Sequence, residues 1–274
     1  MQIGTWQPNS PGSTGQLAAF GKALNFTPRI ASYYSNFGQA FALVFANLMA
    51  EQGTKTLVQW QPRGYTNKDI AAGKYDTYIE KFAHDVGTVN GQVIISYGQE
   101  MNGNWYPWAA SGWGNSNPAD YIAAYRHIVL QFKAALVNNV TWLWDPNVSY
   151  NGSVPLKNVY PGDQYVDWVG LDGYYSTPET TFARLFQPSI DEIRKFTGKP
   201  LCIGEFGVTG STAPSQIAGL FAGAYTAGAV AVVYFDEAQS GDSMHQDWRL
   251  ENNPPATAAF RVSVWQYAER PLNS

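Results

Sequence analysis

Charged residues are scarce in this 274-residue chain: Asp, Glu, Lys and Arg together make up 14% of it, against roughly 25% in an average soluble protein. The formal net charge is −4, which argues against a nucleic-acid partner, because phosphate binding needs a basic stripe. No run approaches the roughly 18 apolar residues of a membrane span, so no membrane partner is predicted. Apolar residues make up 45% of the chain, which excludes disorder for the chain as a whole.

Cysteine and ligand-spaced histidine are also scarce. Cys202 is the single cysteine and cannot form an internal disulfide, so it does not reveal the redox compartment. None of His84, His127 and His245 has metal-ligand spacing with another His or Cys. We therefore predict no catalytic metal and no cofactor. A serine nucleophile is not predicted either, because the chain has no G-x-S-x-G elbow.

Aromatic residues are abundant, at 15% of the chain, with 10 Trp and 17 Tyr. Combined with the low charge, this composition favours a neutral partner that is bound by stacking and hydrogen bonds, and carbohydrates are such partners. For any single Trp, packing in a large core is an equally good interpretation.

Short apolar runs alternate with helical stretches, the pattern of a parallel sheet. Eight strands in one chain of this length predict an α/β fold, a (β/α)8 TIM barrel that forms one catalytic domain over residues 1–274. An open Rossmann-type sheet would need a G-x-G-x-x-G turn after the first strand, and none is present. The predicted strands are Gln2–Trp6, Arg29–Tyr34, Thr56–Trp60, Gln92–Tyr97, Val140–Trp144, Val166–Leu171, Pro200–Gly204 and Val230–Phe235.

Several of the intervening segments have helical period. The clearest is Ala119–Val137, which follows Asn117-Pro118, an N-cap residue and a proline at the first helical position. Its predicted buried face consists of Tyr121, Ile122, Tyr125, Ile128, Val129, Phe132 and Leu136. The other predicted helices are Gln39–Glu51, Lys74–Val86, Ser189–Phe196 and Ser215–Ala227.

Two glutamates lie where the active site of such a barrel is expected, at the C-terminal ends of the strands. Glu100 follows the fourth predicted strand and Glu205 follows the seventh. Three strands apart in an eight-stranded ring, their side chains should converge across the barrel mouth. Glycosidic cleavage needs such a pair, one carboxyl protonated to release the leaving oxygen and one ionised to attack the anomeric carbon. Asp172, Asp236 and Glu237 are further acids at strand ends.

The segment Gln99–Trp108, which contains E-M-N-G-N-W-Y-P-W, resembles glycoside hydrolase family 26 when taken together with I-G-E-F-G at Ile203–Gly207. The best-known members of that family are endo-β-1,4-mannanases. The resemblance extends along nearly the whole chain, to W-Q-P at Trp60, W-D-P-N at Trp144 and D-W-R-L at Asp247.

The resemblance implies a retaining barrel enzyme with Glu100 as acid/base and Glu205 as nucleophile. Tyr174 matches a tyrosine whose hydroxyl donates to the nucleophile, which favours the ionised form. Trp105 matches an aromatic residue near the scissile bond, and Trp248 matches a Trp of the last loop that lines the sugar. Gln99 and His245 are weaker predictions of sugar contact. Five more aromatic residues are weaker candidates still, because packing in the core is the favoured interpretation for each: Trp60, Trp108, Trp113, Trp144 and Tyr175.

Two positions depart from the family pattern. Many members carry His directly before the acid/base and Arg four residues before it, where this chain has Gln99 and Ser96. Gln99 can donate a hydrogen bond to a sugar hydroxyl but cannot carry a proton. Without the Arg, the pKa of the nucleophile should rise unless another group compensates. We expect these changes to affect which sugar is cleaved more than how it is cleaved. Mannose and glucose differ at the 2-hydroxyl, and hydrogen bonds at that hydroxyl strengthen towards the transition state.

The sequence thus predicts a retaining endo-acting hydrolase of β-linked polysaccharide, with β-1,4-mannan as the first substrate. A β-1,3-1,4-glucanase or β-1,3-xylanase of the same family is the alternative, and a carbohydrate-binding barrel without hydrolysis is a third hypothesis. A monomer is expected. No leader is visible in the chain; secretion with a removed leader is the expectation, with an intracellular protein as the alternative.

Overall fold

The computed structural model describes residues 1–112, 116–238 and 246–268. Their parallel strands follow one another around a closed ring, because the two parts of the sixth strand pair with the fifth and seventh strands. The predicted (β/α)8 barrel is therefore confirmed. The strands are β1 (Gln2–Trp6), β2 (Ile30–Asn36), β3 (Lys55–Gln61), β4 (Val93–Tyr97), β5 (Val140–Trp144), β6 (Trp168–Val169 and Asp172–Tyr174), β7 (Leu201–Gly207) and β8 (Ala229–Phe235).

Helices cover the outside of the ring. Within the described residues they are α1 (Gly15–Leu24), α2 (Leu43–Glu51), α3 (Asn67–Ala71), α4 (Asp76–Gly87), α5 (Pro118–Ala134), α6 (Phe182–Leu185), α7 (Gln187–Ile193), α8 (Ala213–Thr226) and α9 (Pro254–Tyr267). Short 3-10 turns stand at Leu156–Val159 and Leu250–Asn252. In the described ranges, no helix has the length and apolar character needed to cross a membrane.

The barrel interior changes from apolar to polar along the strand direction. Its apolar floor is a small buried cluster that includes Leu57, Ile94 and Leu143. Side chains on a strand repeat on the same face every second residue. Two residues further along β3 and β4, and just past the end of β5, that face carries Gln59, Ser96 and Asp145, all fully buried. The polar mouth of the barrel is thus built by the same strands that form its apolar floor.

Some predicted boundaries were wrong. Strand β7 continues to Gly207, so Glu205 lies inside the strand and not after it. The sixth strand is split in two. Between its parts, the Gly170 amide donates to the Trp144 carbonyl and the Leu171 amide donates to the Cys202 carbonyl. Regular pairing with β7 resumes at Asp172. An apolar run marked only the first part of that strand, since its second part is polar and faces the mouth.

The helix predictions differ from the structure mainly at their ends. Asn117 caps α5 as expected, its side-chain oxygen accepting from the Asp120 amide at 3.0 Å. Leu136 is 86% exposed and lies beyond the helix, so its assignment to the buried face was wrong. Helix α2 begins at Leu43, because the Gln39 side chain caps the preceding turn by accepting from the Asn36 amide.

Candidate active site

Glu100 lies three residues beyond β4 in a left-handed backbone conformation, with φ of 56°. That conformation is uncommon for a residue other than glycine and costs free energy, so the surrounding contacts must hold it. The Glu100 amide donates to the Asp145 carbonyl at 2.8 Å. Its carboxyl accepts from the Trp105 indole at 2.8 Å and from the Asn147 amide at 2.7 Å. Backbone and side chain together fix the carboxyl at the barrel mouth.

Glu205 is held by three neutral donors. Its Oε1 accepts from the Tyr34 hydroxyl at 2.5 Å, and its Oε2 accepts from the Tyr174 hydroxyl at 2.7 Å. The Gln59 amide reaches Oε1 from below at 3.4 Å. Hydrogen bonds donated to a carboxylate favour its ionised form. This set of donors, one more than Glu100 has, suits Glu205 to carry the negative charge of the pair.

Burial raises the pKa of both carboxyls. It raises the pKa of Glu100, against hydrogen bonds from Asn147 and Trp105. Burial, followed by repulsion from Glu100, raises the pKa of Glu205 to about 8, against the Tyr34 and Tyr174 hydrogen bonds. Two such acids titrate as a coupled pair, and ionising one of them keeps the proton on the other.

At the position where the sequence resemblance would place Arg, this chain has Ser96. Ser96 is fully buried, and the described residues include no buried Lys, Arg or His. Burial and repulsion from Glu100 raise the pKa of Glu205 with no buried cation among the described residues to oppose them, and the Tyr34 and Tyr174 hydrogen bonds lower it. The described residues also contain no group of three or more His, Cys, Asp or Glu side chains that could hold a metal ion.

An open cleft of about 1070 Å³ contains both carboxyls. Its walls are rich in aromatic rings, which offer flat apolar faces for stacking against a sugar. Trp105 is 41% exposed and packs against Tyr150 at 5.7 Å between ring centroids. A second group of rings, in which Tyr174 contacts Trp248 at 4.6 Å, adjoins Glu205. The aromatic residues of the walls are Trp6, Tyr34, Trp105, Tyr106, Tyr150, Tyr174, Phe235 and Trp248.

The main residues predicted from the sequence meet in this cleft. Glu100, Glu205, Trp105, Tyr174 and Trp248 all line it. The Tyr174 hydroxyl donates to Glu205, the contact that the sequence resemblance implied.

Three weaker predictions do not fit the structure. Trp60 is completely buried and stacks on Phe82 at 4.1 Å, because it points away from the barrel axis on β3; its predicted sugar contact was wrong. Trp108 is 1% exposed and supports the loop from below, stacked on Tyr106 at 4.2 Å, so its prediction was wrong as well. Gln99 does not line the cleft, since both atoms of its side-chain amide are buried without a hydrogen-bond partner.

Other weak predictions are resolved by burial or fall outside the described chain. Trp144 and Tyr175 are buried, with 0% and 1% exposure, and Trp144 donates to the Val159 carbonyl, so neither reaches a ligand. Trp113 and His245 lie outside the residues that the structure describes.

Sequence reasoning missed several residues of the site. Tyr34 stands near the end of β2 and Asn147 follows β5, both at strand ends where such side chains are expected. Gln59 could have been found by its period-2 position, because it is a polar residue on the inward face of an apolar strand. Tyr150 carried no sequence signal, since its place beside Trp105 depends on the path of the loop after β5.

Comparison with known proteins agrees with this geometry. Residues 71–188 match the family model of Glycosyl hydrolase family 26. Endoglucanase H of Acetivibrio thermocellus is 30% identical over 99% of the chain, which covers 31% of that protein. Mannan endo-1,4-beta-mannosidase A and B of Caldalkalibacillus mannanilyticus is 36% identical over 30% of the chain, and the match covers 16% of that protein. The chain thus spans a third or less of these two relatives.

A solved modular endo-beta-1,4-mannanase from Cellulomonas fimi has the same fold. It superposes with a TM-score of 0.73 at 17% identity, covering 99% of this chain and 71% of that one. The family match includes β4, Glu100 and the loop that carries Trp105, while the whole-chain match to the endoglucanase includes Glu205. Residues 71–188 of the chain are thus a match to Glycosyl hydrolase family 26, the family that the sequence motifs resemble.

Proposed function

We propose that residues 1–274 form one catalytic domain, a retaining endo-acting hydrolase of β-linked polysaccharide. Glu100 is its acid/base and Glu205 its nucleophile. The observation that carries this proposal is the pair of buried carboxyls in one open cleft, each fixed by its own set of donors. An open cleft admits the interior of a long chain, which supports endo action.

The two steps use the same pair of residues. Glu205 attacks the anomeric carbon while Glu100 donates its proton to the glycosidic oxygen, so the bond from carbon to that oxygen breaks and a glycosyl ester forms. Glu100 then takes a proton from water, whose oxygen attacks the same carbon and breaks the ester. Two inversions return the original configuration. Glu100 ends each turnover protonated and Glu205 ionised, the states in which they began.

The donors around the two carboxyls fit these roles. The Tyr34 and Tyr174 hydroxyls stabilise Glu205 as an anion before attack and lose that partner as the ester forms. Burial raises the pKa of Glu100. A negative charge on Glu205 opposes ionisation of a second acid in the same cleft, which keeps the proton of Glu100 available for the leaving oxygen.

Two polysaccharides are proposed as substrates. β-1,4-Mannan is the first, supported by the mannosidase that matches at 36% identity. β-Glucan, including mixed-linkage β-1,3-1,4-glucan, is the second. It is favoured by the endoglucanase, whose match extends over 99% of the chain and so takes in every strand end around the cleft.

A panel of polysaccharides with sizing of the products separates these hypotheses. Short oligosaccharides released from mannan alone support the first substrate, and release from barley-type glucan alone supports the second. Products from β-1,3-xylan would point to the third activity considered from the sequence. Binding to a glycan without cleavage would contradict the proposed function and leave a carbohydrate-binding barrel.

Replacing Tyr34 by Phe should slow the first step and shift the pH dependence. A hydrogen bond to a charged group contributes about 1.5–3 kcal/mol, so we expect kcat/KM to fall roughly 10- to 100-fold. The lost donor raises the pKa of Glu205, and the acid limb of the pH–rate profile therefore moves to higher pH. Steady-state kinetics from about pH 4 to 9 measures both effects.

Tyr33→Phe is the matched control for this substitution. Tyr33 is the preceding residue on β2, but its ring packs outwards on Phe45 and not towards Glu205. Its removal should leave the position of the acid limb unchanged. An equal shift of the acid limb in both variants would show that the Tyr34→Phe effect comes from a disturbance of β2 and not from the lost hydrogen bond to Glu205.

We expect the enzyme to act outside the cell, because a polysaccharide chain does not cross a cell membrane. Fractionation of the producing culture tests this expectation.

A further inference from the structure

Two more carboxyl groups lie beneath the cleft. Asp145 directly follows β5, and Asp172 begins the second part of β6; both are completely buried. Asp172 is the register partner of Glu205 on the neighbouring parallel strand. The backbone of Asp172 also forms an isolated parallel β-bridge with Asn147, whose side chain donates to Glu100. The two aspartates therefore adjoin both carboxyls of the proposed catalytic pair.

Most of their oxygens have no hydrogen-bond donor. Oδ2 of Asp145 accepts from the Gln59 amide at 3.1 Å, and the same nitrogen reaches Glu205 at 3.4 Å. Oδ1 of Asp145 and both oxygens of Asp172 find no donor. The Asp145 carboxyl packs directly on two glycine backbones, in space that a Cβ atom of Gly170 or Gly204 would occupy.

Two ionised carboxylates in this position would be unstable. Burying an unpaired charge is costly, and none of the described Lys, Arg or His residues is buried to offset it. The two carboxyls lie within hydrogen-bonding reach of each other. Two acceptors can form a hydrogen bond only if one of them carries a proton, which then provides a donor for the other.

We propose that Asp172 carries a proton that it shares with Asp145, and that this acid pair positions the Gln59 amide against Glu205. Asp145 then accepts from Asp172 on one side and from Gln59 on the other. The Gln59 amide is left pointing at Oε1 of Glu205. The shared proton does not depend on the proposed function, whereas its effect on the nucleophile does.

The pair also reduces the negative charge around Glu205. Four acidic groups, Glu100, Glu205, Asp145 and Asp172, share one desolvated region. A proton on Asp172 removes one of these charges next to the proposed nucleophile, whose ionisation is opposed by the others. In a barrel without a buried cation among its described residues, the proton takes over the task of neutralising the site.

The electrostatics agree with this geometry. Burial, followed by repulsion from Asp145, Glu205 and Glu100, raises the pKa of Asp172 well above its usual range. Burial raises the pKa of Asp145 to about 7, against its hydrogen bonds with Gln59 and Asp172. The other titratable groups coupled to the pair are Tyr34, Tyr106, Tyr121, Tyr125, Tyr174 and Cys202.

Infrared difference spectroscopy detects the shared proton without any substrate. The starting protein carries Glu100→Gln and Glu205→Gln together, so that neither carboxyl of the proposed catalytic pair contributes a protonated acid to the spectrum. It is compared at about pH 7 with the same protein carrying Asp172→Asn in addition. We expect the first to show the C=O stretch of a protonated carboxylic acid, shifted in D2O, and the second to lose it. Thermal unfolding confirms that both proteins are folded.

Two outcomes overturn the proposal. Absence of the band from the starting protein means that no proton is shared, and a band that survives Asp172→Asn places the proton on an acid other than Asp172. If the protein with Asp172→Asn does not fold, Asp145→Asn in the same starting protein replaces it. That amide donates to Asp172, which can then ionise, so the band should again disappear.

Kinetics tests the positioning role in the otherwise unchanged enzyme. Asp172→Asn keeps a neutral donor towards Asp145, whereas Asp172→Leu has a similar size and no donor. We expect kcat of the Asn variant to exceed that of the Leu variant at least about tenfold, with similar KM values. Equal losses in both variants would mean that Asp172 acts as an anion. If neither variant nor the parent cleaves any polysaccharide, the proposed function fails while the infrared result still decides the shared proton.

Discussion

Glu205→Ala should abolish turnover while the protein remains folded. Without the carboxylate no glycosyl ester can form, so we expect kcat to fall by about 10⁴-fold or more, the scale seen when a covalent nucleophile is removed from other enzymes. The substitution removes a buried acid whose pKa is raised by its surroundings, and it leaves the Tyr34 and Tyr174 hydroxyls to bind water in its place. Initial rates on the preferred polysaccharide and a thermal melt measure both effects.

Added azide distinguishes a lost nucleophile from a damaged site. The space vacated by the Glu205 side chain admits a small anion, which can attack the anomeric carbon of an activated aryl glycoside directly. We expect a glycosyl azide of the α configuration, because only one inversion occurs. Glu80→Ala is the matched control, since Glu80 is an exposed glutamate on α4 outside the cleft. A Glu205→Ala protein with near-normal rates would show that the nucleophile is another group.

Glu100→Ala should produce losses that depend on the leaving group. General acid catalysis typically raises the rate 10²–10⁴-fold. A polysaccharide leaving group depends on it fully, so we expect the rate on polysaccharide to fall by such a factor. With a dinitrophenyl glycoside the leaving group is dinitrophenolate, which departs as an anion and needs no proton. The first step should therefore be nearly unaffected, while hydrolysis of the glycosyl ester becomes slow. We therefore expect a burst of dinitrophenol followed by a slow steady state. Stopped-flow absorbance on the aryl glycoside and reducing-end assays on the polysaccharide measure the two behaviours.

The pH profile gives the same substitution a second test. In the native enzyme Glu100 must be protonated, so the rate falls as the pH rises through its pKa, which burial raises. With the aryl glycoside, the alkaline limb of the first step should disappear in Glu100→Ala. An alkaline limb that persists, or equal losses on both substrates, would contradict the role of Glu100 as the acid.

The sequence was sufficient for the fold and for the placement of the two glutamates. Apolar runs set off by polar strand ends predicted all eight strand positions, and the motif around Glu100 placed one acid beyond β4. The second part of β6 escaped this reasoning because it contains a buried acid, Asp172, a glycine and the half-buried Tyr174. A buried polar segment gives no hydrophobic signal, and in this chain it belongs to the site.

The direction of individual side chains was harder to predict. Trp60 and Gln59 are neighbours on β3, yet one packs under the helices and the other points to Glu205. Strand alternation contains that information, but from the sequence only the tryptophan was considered as a sugar contact, and Gln59 was overlooked. Tyr34 lies 171 residues from Glu205 in sequence, so their contact depends on closure of the whole barrel. The left-handed backbone at Glu100 follows no local rule, because its tertiary contacts impose it.

Trapping the covalent intermediate tests the central claim most directly. A 2-deoxy-2-fluoro glycoside with an activated leaving group slows both steps by destabilising their transition states, and it slows hydrolysis of the ester enough for the glycosyl-enzyme to accumulate. Proteolysis and tandem mass spectrometry then locate the added sugar. We predict one sugar per chain, attached to the carboxyl of Glu205 and absent from the Glu205→Ala protein. A sugar on another residue, or product of inverted configuration with no adduct, would contradict a retaining mechanism through Glu205.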